Sequence, residues 1–193
     1  MNIDFHIKLP TFAADYSGVC SVLYELGGTV VLHDPSGCMG NVAAYDEPRA
    51  YEGGCRLFTS ALDDMQALFG RDDLLVKAAC KAQEQVGGSF IALVGTPNPM
   101  VLGTDYDAIA QEIGKRCHVP AIAFHTTGTR YYDVGVAAAL QSVACNLFAP
   151  HVRVRTSHVS KYQVNLLGAT PLDFSCQANI DDIRNRVTRA GWD

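Results

Sequence analysis

Four short apolar runs are spaced along the first 150 residues, each bounded by glycine, proline or polar residues. They predict strands at Thr29–Leu32, Arg56–Thr59, 89–95 and 120–124. In the strongest run, 89–95, the apolar residues follow one another without a polar alternation. Such continuous runs favour strands that are covered on both faces, which is the pattern of a parallel sheet.

Amphipathic segments lie between and after these runs, at Asp72–Val86, 105–117 and 133–147. The first begins with two aspartates and stops before Gly87, as expected for a helix in which acids face the positive end of the dipole. Thr104 with Asp107 resembles a capping pair for the second helix. This alternation predicts an α/β fold with a doubly wound, mostly parallel, Rossmann-like sheet.

The pattern changes after Pro150, which predicts a domain boundary. We expect an N-terminal α/β domain over 1–150, a polar linker over 151–163, and the first strand and helix of a second α/β domain over 164–193. Within that last part, 164–168 resembles a strand and Asn179 is expected to cap a helix over 180–190. The second domain would be truncated, so the chain is expected to be the N-terminal portion of a longer polypeptide.

The composition and charge of the chain disfavour several classes of function. The chain has 193 residues, a formal net charge of −5 and 48% hydrophobic residues. Mild acidity disfavours a nucleic-acid partner, because such proteins usually carry a basic face. No apolar run reaches the ~18 residues of a membrane span, and the amino terminus lacks the regions of a secretory signal. We therefore expect a cytoplasmic protein whose seven cysteines are reduced, as buried side chains or as metal ligands.

Ligands of doubly wound sheets bind beyond the carboxyl ends of the strands, so the loops at 33–38, 95–100 and 125–130 carry the candidate chemistry. Cys38 closes the first loop. There, Gly37 leaves space for a bulky inorganic group and Pro35 stiffens the chain. His33 would orient this loop or donate a hydrogen bond to a bound group. Cys38 is either a metal ligand or an ordinary turn residue, and its position at a strand end favours the ligand.

Two other cysteines are candidate metal ligands. Ser17 as N-cap would place Cys20 in the first turn of a helix, where the helix dipole lowers the pKa of a thiol. Burial in the core is an equal alternative for Cys20, and Cys55 follows a glycine turn that needs no ligand at all. The cysteines in the predicted helices are expected in the core; these are Cys80, Cys117 and Cys145.

The spacing of the cysteines helps to distinguish a zinc site from an iron–sulfur cluster. No close C-x2-C pair supports a structural zinc site. Two cysteines also fall short of the four thiolates that hold a 4Fe–4S cluster, so the others would come from Cys55 or from a second subunit. An iron–sulfur cluster at an interface between subunits is the arrangement that these cysteines favour.

Other chemistries have weaker support in the sequence. The chain has neither a G-x-x-x-x-G-K-S/T phosphate loop nor a G-x-G-x-x-G turn after a strand. A hydrolase would use a serine, a histidine and an acid, and the chain has all three in Ser36, His33 and Asp34. However, the G-x-S-x-G elbow that positions a nucleophilic serine is missing. The donor-rich loop over 125–130 could bind an anion or be a polar strand-end loop.

Four segments together resemble the N-terminal region of the nitrogenase component 1 type oxidoreductases; they are 20–38, 59–70, 94–105 and 164–173. The most specific piece is the HDPSGC sequence at 33–38, which is similar to the family's H-G-P-x-G-C-like loop. In that family a cysteine near a helix start and the cysteine of this loop bind a bridging iron–sulfur cluster. The resemblance therefore implies ligand roles for Cys20 and Cys38.

The resemblance also implies partners: an identical or homologous second subunit, and an ATP-hydrolysing iron–sulfur reductase that docks on the pair. Where a third family cysteine would align, this chain has Thr96 and Pro97. Two cysteines from each subunit suit one 4Fe–4S cluster better than the eight-iron cluster of nitrogenase.

The leading hypothesis is an oxidoreductase subunit that relays low-potential electrons to a substrate. The alternatives are a scaffold for assembling a nitrogenase-type metal cofactor, and an α/β binding module with core cysteines.

Overall fold

The structure is a computed structural model and describes residues 13–43, 56–148, 164–170, 172 and 176–192. Its four strands are β1 (Thr29–Leu32), β2 (Arg56–Thr59), β3 (Ile91–Val94) and β4 (Ala121–Phe124). Its α-helices are α1 (Asp15–Leu23), α2 (Gly37–Ala43), α3 (Asp64–Phe69), α4 (Asp72–Val86), α5 (Pro97–Leu102), α6 (Tyr106–Cys117), α7 (Tyr132–Ser142) and α8 (Cys176–Arg189). A π-helical segment, Val143–Phe148, continues α7.

The four strands form one parallel sheet in the order β2-β1-β3-β4. The register brings Leu32 of β1 opposite both Thr59 of β2 and Val94 of β3, so the strands end level with one another. We call the side on which they end the carboxyl edge. The chain moves outward from β1 first to β2 and then, past β1, to β3, which places a topological switch point between β1 and β3. The predicted α/β class with a parallel, doubly wound sheet is confirmed.

Successive side chains of each strand point to opposite faces of the sheet, and they pack in two separate apolar clusters. Val30 and Leu32 of β1 pack in a cluster with α1, α2 and α7, and we call this side the α1/α7 face. Val31 of the same strand packs in a second cluster with α4 and α6, on the α4/α6 face. Since β1 and β3 are buried on both faces, their continuous apolar sequences have a direct structural reason.

Helices α1 and α7 approach each other closely, and glycine makes this possible. A Cβ at Gly135 of α7 would collide with the carbonyl of Asp15, and a Cβ at Gly18 of α1 would collide with the carbonyl of Tyr132. The obstructing atoms belong to the backbone, so no side-chain rotation could relieve either collision. All nine residues of α1 are buried as a result.

The long helices of the α4/α6 face agree with the sequence pattern. Helix α4 has the predicted bounds, and it ends at Gly87, which has a left-handed φ of 66°. Helix α6 begins one residue later than expected, because Asp105 is its N-cap and accepts a 3.0 Å hydrogen bond from the Ala108 amide. The expected capping role of Thr104 is therefore wrong. Its hydroxyl donates to the carbonyl of Pro99 instead.

The C-terminal part agrees only partly with expectation. Residues 164–170 have no regular secondary structure, so the expected strand over 164–168 does not form in the described part of the chain. Helix α8 begins at Cys176, which places Asn179 inside the helix rather than at its cap. Thr170 accepts a 3.1 Å hydrogen bond from the Tyr132 hydroxyl, and the Leu172 amide donates to Ser21 at 3.1 Å. This segment thus contacts the α1/α7 face. The expected linker lies outside the described residues, and the domain division stays a prediction.

Three cysteines expected in the core differ in outcome. Cys145 is exposed, so that expectation is wrong; the alanine-rich sequence around it offers no polar stripe to mark the outer side of the helix. Cys80 and Cys117 are half-buried and contact each other across α4 and α6. None of the helices in the described ranges combines the length and the apolar character that crossing a bilayer would need.

Candidate cysteine site at the carboxyl edge

The turn from β1 into α2 is built around the buried carboxylate of Asp34, which has no exposed surface (0%). Its Oδ2 accepts hydrogen bonds from the amides of Ser36, Cys38 and Met39 at 3.0, 2.9 and 3.2 Å. Its Oδ1 accepts one from the Thr59 hydroxyl at 2.6 Å. One carboxylate therefore fixes the backbone that carries Cys38 and ties it to the end of β2. The sequence signal for this role is an aspartate directly before a proline-serine-glycine turn.

The tip of this loop is exposed to solvent and partly strained. Ser36 has a left-handed φ of 96°, a conformation that costs energy for any residue with a side chain. Pro35 and Gly37 on either side of it are exposed. A Cβ at Gly37 would have no neighbouring atom within 4 Å, so open space of the expected kind lies beside it. The strained residue lies two positions before Cys38 and the open space one position before it.

Cys38 is the second residue of α2 and is half-buried. The side chains of Tyr16 and Thr96 interact with its sulfur from α1 and from the loop after β3. Burial raises the pKa of Cys38 above its ordinary value, the hydrogen bond with Tyr16 opposes that rise, and the charge of Asp34 adds to it. Cys38 therefore lies at the switch point of the sheet, between the loops that follow β1 and β3.

Cys20 approaches the same place from α1. The helix begins at Asp15 after an extended Ala14, so Cys20 lies in the second turn and the expected N-cap role of Ser17 is wrong. Cys20 has 0% exposure and belongs to the apolar cluster of the α1/α7 face. Burial raises the pKa of Tyr16, and both Cys38 and Cys20 contribute to the rise. Cys38 is hydrogen-bonded to this phenol, whereas Cys20 acts on it only through its charge.

His33 points the other way. Its Nδ1 is 2.8 Å from the Ser60 hydroxyl, and its ring meets the ring of Tyr106 edge-on, with centroids 6.2 Å apart, on the α4/α6 face. Burial lowers the pKa of His33 to about 4. Its carbonyl accepts a 2.6 Å hydrogen bond from the Thr96 hydroxyl. Of the two roles expected for His33, the geometry favours orienting the loops over contacting a group held by Cys38.

A second buried carboxylate joins the third loop to α1. Asp15 is 1% exposed and accepts hydrogen bonds from the amides of Tyr16, Thr127 and Gly128 at 2.9, 3.0 and 2.8 Å. Two amides of the 125–130 loop are therefore occupied by the protein's own carboxylate. The expectation that this loop binds an anion has no support in the geometry of these amides.

The described residues offer few donors for an iron–sulfur cluster. Cys20 and Cys38 provide two thiols around Tyr16, and Cys55 lies outside the described residues. Thr96, which occupies the position where the family resemblance implies a third cysteine, forms a side-chain hydrogen bond with Cys38. Within the described ranges, no three histidine, cysteine or acidic side chains come together as a metal site. The chemistry of the two donors fits such a cluster, and their number fits only a cluster completed by ligands from beyond this set.

Comparison with known proteins identifies the family. The model of the nitrogenase component 1 type oxidoreductases matches residues 15–193. The chain belongs to this family. Two solved structures, "Nitrogenase Cp1 at pH 5" and "Nitrogenase Cp1 at pH 6.5", share its fold with TM-scores of 0.70 and 0.71 at 18% sequence identity. Each match covers 95% of this chain, but only 38% and 36% of the nitrogenase chains.

A curated relative is the Ni-sirohydrochlorin a,c-diamide reductive cyclase complex, component CfbD, from Methanothermobacter thermautotrophicus. It is 28% identical over 113 residues, which covers 56% of this chain and 30% of the relative. This member of the nitrogenase-like family therefore spans about a third of the length of the relatives it matches.

Proposed function

We propose that this chain is part of a nitrogenase-like oxidoreductase subunit that relays low-potential electrons to a tetrapyrrole-type substrate. The electrons would come from an ATP-hydrolysing iron–sulfur reductase, through a 4Fe–4S cluster that is shared with a second, identical or homologous subunit. Family membership supports the oxidoreductase class. The substrate class comes from the curated relative, whose printed name describes a reductive cyclase complex acting on a nickel sirohydrochlorin diamide.

The observation that supports the proposal is the position of Cys38 at the switch point of the sheet, hydrogen-bonded to Tyr16 of α1, the helix that also carries Cys20. The two thiols come from different elements, α1 and α2, and lie 18 positions apart in the sequence. A cluster shared between two chains would receive two thiolates from each. Cys55 remains a further candidate ligand on sequence grounds alone.

The cluster, when bound, would supply reversible one-electron transfer at low potential. The chain's own residues would hold and insulate it. Asp34 fixes the backbone of Cys38 through the amides of Ser36, Cys38 and Met39. Tyr16 donates a hydrogen bond toward the Cys38 sulfur and thereby favours the thiolate that a metal requires. Apolar neighbours of Cys20 exclude water from its side of the site.

The ligand roles are tested by anaerobic purification of the wild type and of the Cys38→Ala variant, followed by iron and sulfide analysis and EPR of the reduced protein. We expect Cys38→Ala to lose most of the bound iron and the cluster signal. Cys145→Ala is the matched control, because Cys145 is exposed in the π-helical segment away from Cys38. An unchanged signal in Cys38→Ala would contradict the proposal.

An electron relay and a cofactor-assembly scaffold should respond differently to the reductase. For a relay, adding the reduced reductase with MgATP should reduce the cluster within one turnover, and omission of MgATP should abolish that reduction. A cofactor-assembly scaffold, the alternative, would stay oxidised under these conditions and would release a bound metal cofactor to an acceptor protein. Rapid-mixing absorbance spectroscopy of the full-length complex separates the two.

A further inference from the structure

The α4/α6 face holds a second pair of cysteines, which the proposed electron relay does not use. Cys80 lies in α4 and Cys117 is the last residue of α6. The Cys117 thiol donates to the Cys80 sulfur, and the two sulfurs are 2.8 Å apart. Both side chains are half-buried and both are free thiols. A covalent S–S bond is about 2.0 Å long, so bonding the pair would bring the sulfurs closer by about 0.8 Å.

This pair is remote from the cysteines at the carboxyl edge. Helix α6 begins there with Tyr106, whose ring contacts His33. Cys117 is eleven residues further along the helix, which corresponds to about 16 Å at 1.5 Å per residue. The sheet lies between the α4/α6 face and the apolar cluster that encloses Cys20. A reaction at Cys80 and Cys117 would therefore leave the carboxyl edge intact.

The surroundings give a small oxidant access to the pair. Cys80 and Cys117 line an open depression of about 560 Å³. Its other lining residues include Lys77, Lys81, Glu84 and Arg116. Lys77 and Arg116 are paired with Asp73 and Glu112 at 3.3 and 2.6 Å, so the charges around the pair are nearly balanced. Access is therefore open to a low-molecular-weight disulfide such as oxidised glutathione on grounds of space rather than of charge. Burial and the neighbouring Cys80 raise the pKa of Cys117 to about 12. The Cys117 thiol donates its hydrogen bond to the Cys80 sulfur, which favours the nucleophilic thiolate on Cys80, so attack is expected to begin there.

We propose that Cys80 and Cys117 form a reversible dithiol–disulfide couple that clamps α4 to α6. The Cys80 thiolate attacks one sulfur of the small disulfide, which releases one small thiolate and leaves a mixed disulfide on Cys80. The Cys117 sulfur then attacks Cys80, a Cys80–Cys117 bond forms, and a second small thiol leaves. Overall, two protein thiols lose two electrons and two protons, and one small disulfide is reduced to two thiols.

The test equilibrates the full chain anaerobically with glutathione buffers of increasing oxidised fraction, traps free thiols by alkylation and maps the peptides by mass spectrometry. We expect a Cys80–Cys117 cross-linked peptide whose fraction rises with the oxidised fraction and returns to zero when the buffer is reduced. Alkylation of both residues across the whole series, or glutathione retained on Cys80 of the wild type, would overturn the proposal. The result does not depend on whether the chain binds a cluster.

Single-cysteine variants distinguish the roles of Cys80 and Cys117. Cys117→Ser should retain glutathione on Cys80, because the resolving thiol is gone, whereas Cys80→Ser should take up several-fold less glutathione on Cys117. Cys145→Ser is the matched control and should form the cross-link as the wild type does. Oxidation should also raise Tm by about 5–10 °C, and only when both cysteines are present. An equal Tm for the oxidised and reduced wild type would show that no clamp is formed.

Discussion

The two faces of the sheet are covered in different ways. On the α4/α6 face, amphipathic helices lay one apolar side on the strands and leave the other in solvent. On the α1/α7 face, α1 is buried on every side, and it meets α7 through backbone rather than through side chains. The candidate ligands Cys20 and Cys38 belong to this second face. A closely packed, fully enclosed helix is a precise support for a site, and it tolerates change poorly.

The largest contrast between the faces should come from their helical glycines. Gly135→Ala in α7 places a Cβ against the carbonyl of Asp15, and we expect it to lower the free energy of unfolding by about 3 kcal/mol. Gly114→Ala in α6 is the matched control. There the new Cβ would meet Ala121 and Val119 at 3.4 Å, an ordinary contact, and the gain in helix propensity should stabilise the fold by about 0.5–1 kcal/mol.

Urea denaturation of both variants, with equal m-values, measures this difference. A destabilisation of the same size in Gly114→Ala and Gly135→Ala would show that the two faces are packed alike. That result would remove the structural reason for treating α1 as a rigid support.

A somewhat smaller contrast is expected between two aspartates. Asp15→Asn replaces one carboxylate oxygen by a donor that must face a backbone N–H, so the loop carrying Thr127 and Gly128 loses a partner. We expect a loss of about 2–3 kcal/mol. Asp107→Asn, on the α4/α6 face, changes an exposed carboxylate 3.1 Å from His125, and its effect should stay below about 0.5 kcal/mol.

Thermal or chemical unfolding checks these two values, and near-UV circular dichroism should report loosening of the Tyr16 environment in Asp15→Asn alone. If the two amide variants were equally stable, the buried carboxylate would not be what joins α1 to the third loop.

The same difference explains how far the sequence predicts this structure. Helix α4 and strands β1 and β2 have the predicted bounds. One-sided burial marks α4 in the sequence, and a continuous apolar run marks β1. Helix α1 is buried on every side, so no exposed polar stripe marks its bounds, and the prediction of Ser17 as its N-cap is wrong. Short helices such as α3 and α5, with six residues each, are too brief to show a period.

The candidate site was only partly predictable for a related reason. Cys38 stands next to a strand end and a glycine, which local sequence reveals. The hydrogen bonds that hold the site connect distant residues, as with Asp15 and Thr127, which are 112 positions apart. No local pattern encodes such a pairing. The thiol contact between Cys80 and Cys117 likewise depends on how two helices meet, although each helix alone was predicted.

The smallest predicted effect concerns His33, at the rim of the α4/α6 face. Burial lowers its pKa to about 4 in the fold, against 6.5 for an exposed histidine, while the neighbouring Asp34 pulls the other way. Between these values the unfolded chain binds a proton that the folded chain does not, so stability falls as pH falls. From pH 7 to pH 5 the loss of stability should be about 2 kcal/mol.

The His33→Asn variant should show a flatter dependence of stability on pH, even if its stability is lower throughout. His118 is exposed after α6, so His118→Asn should keep the pH dependence of the wild type. Urea titrations at several pH values measure the slope. An unchanged slope in His33→Asn would mean that other groups govern acid stability and that the fold does not lower the pKa of His33.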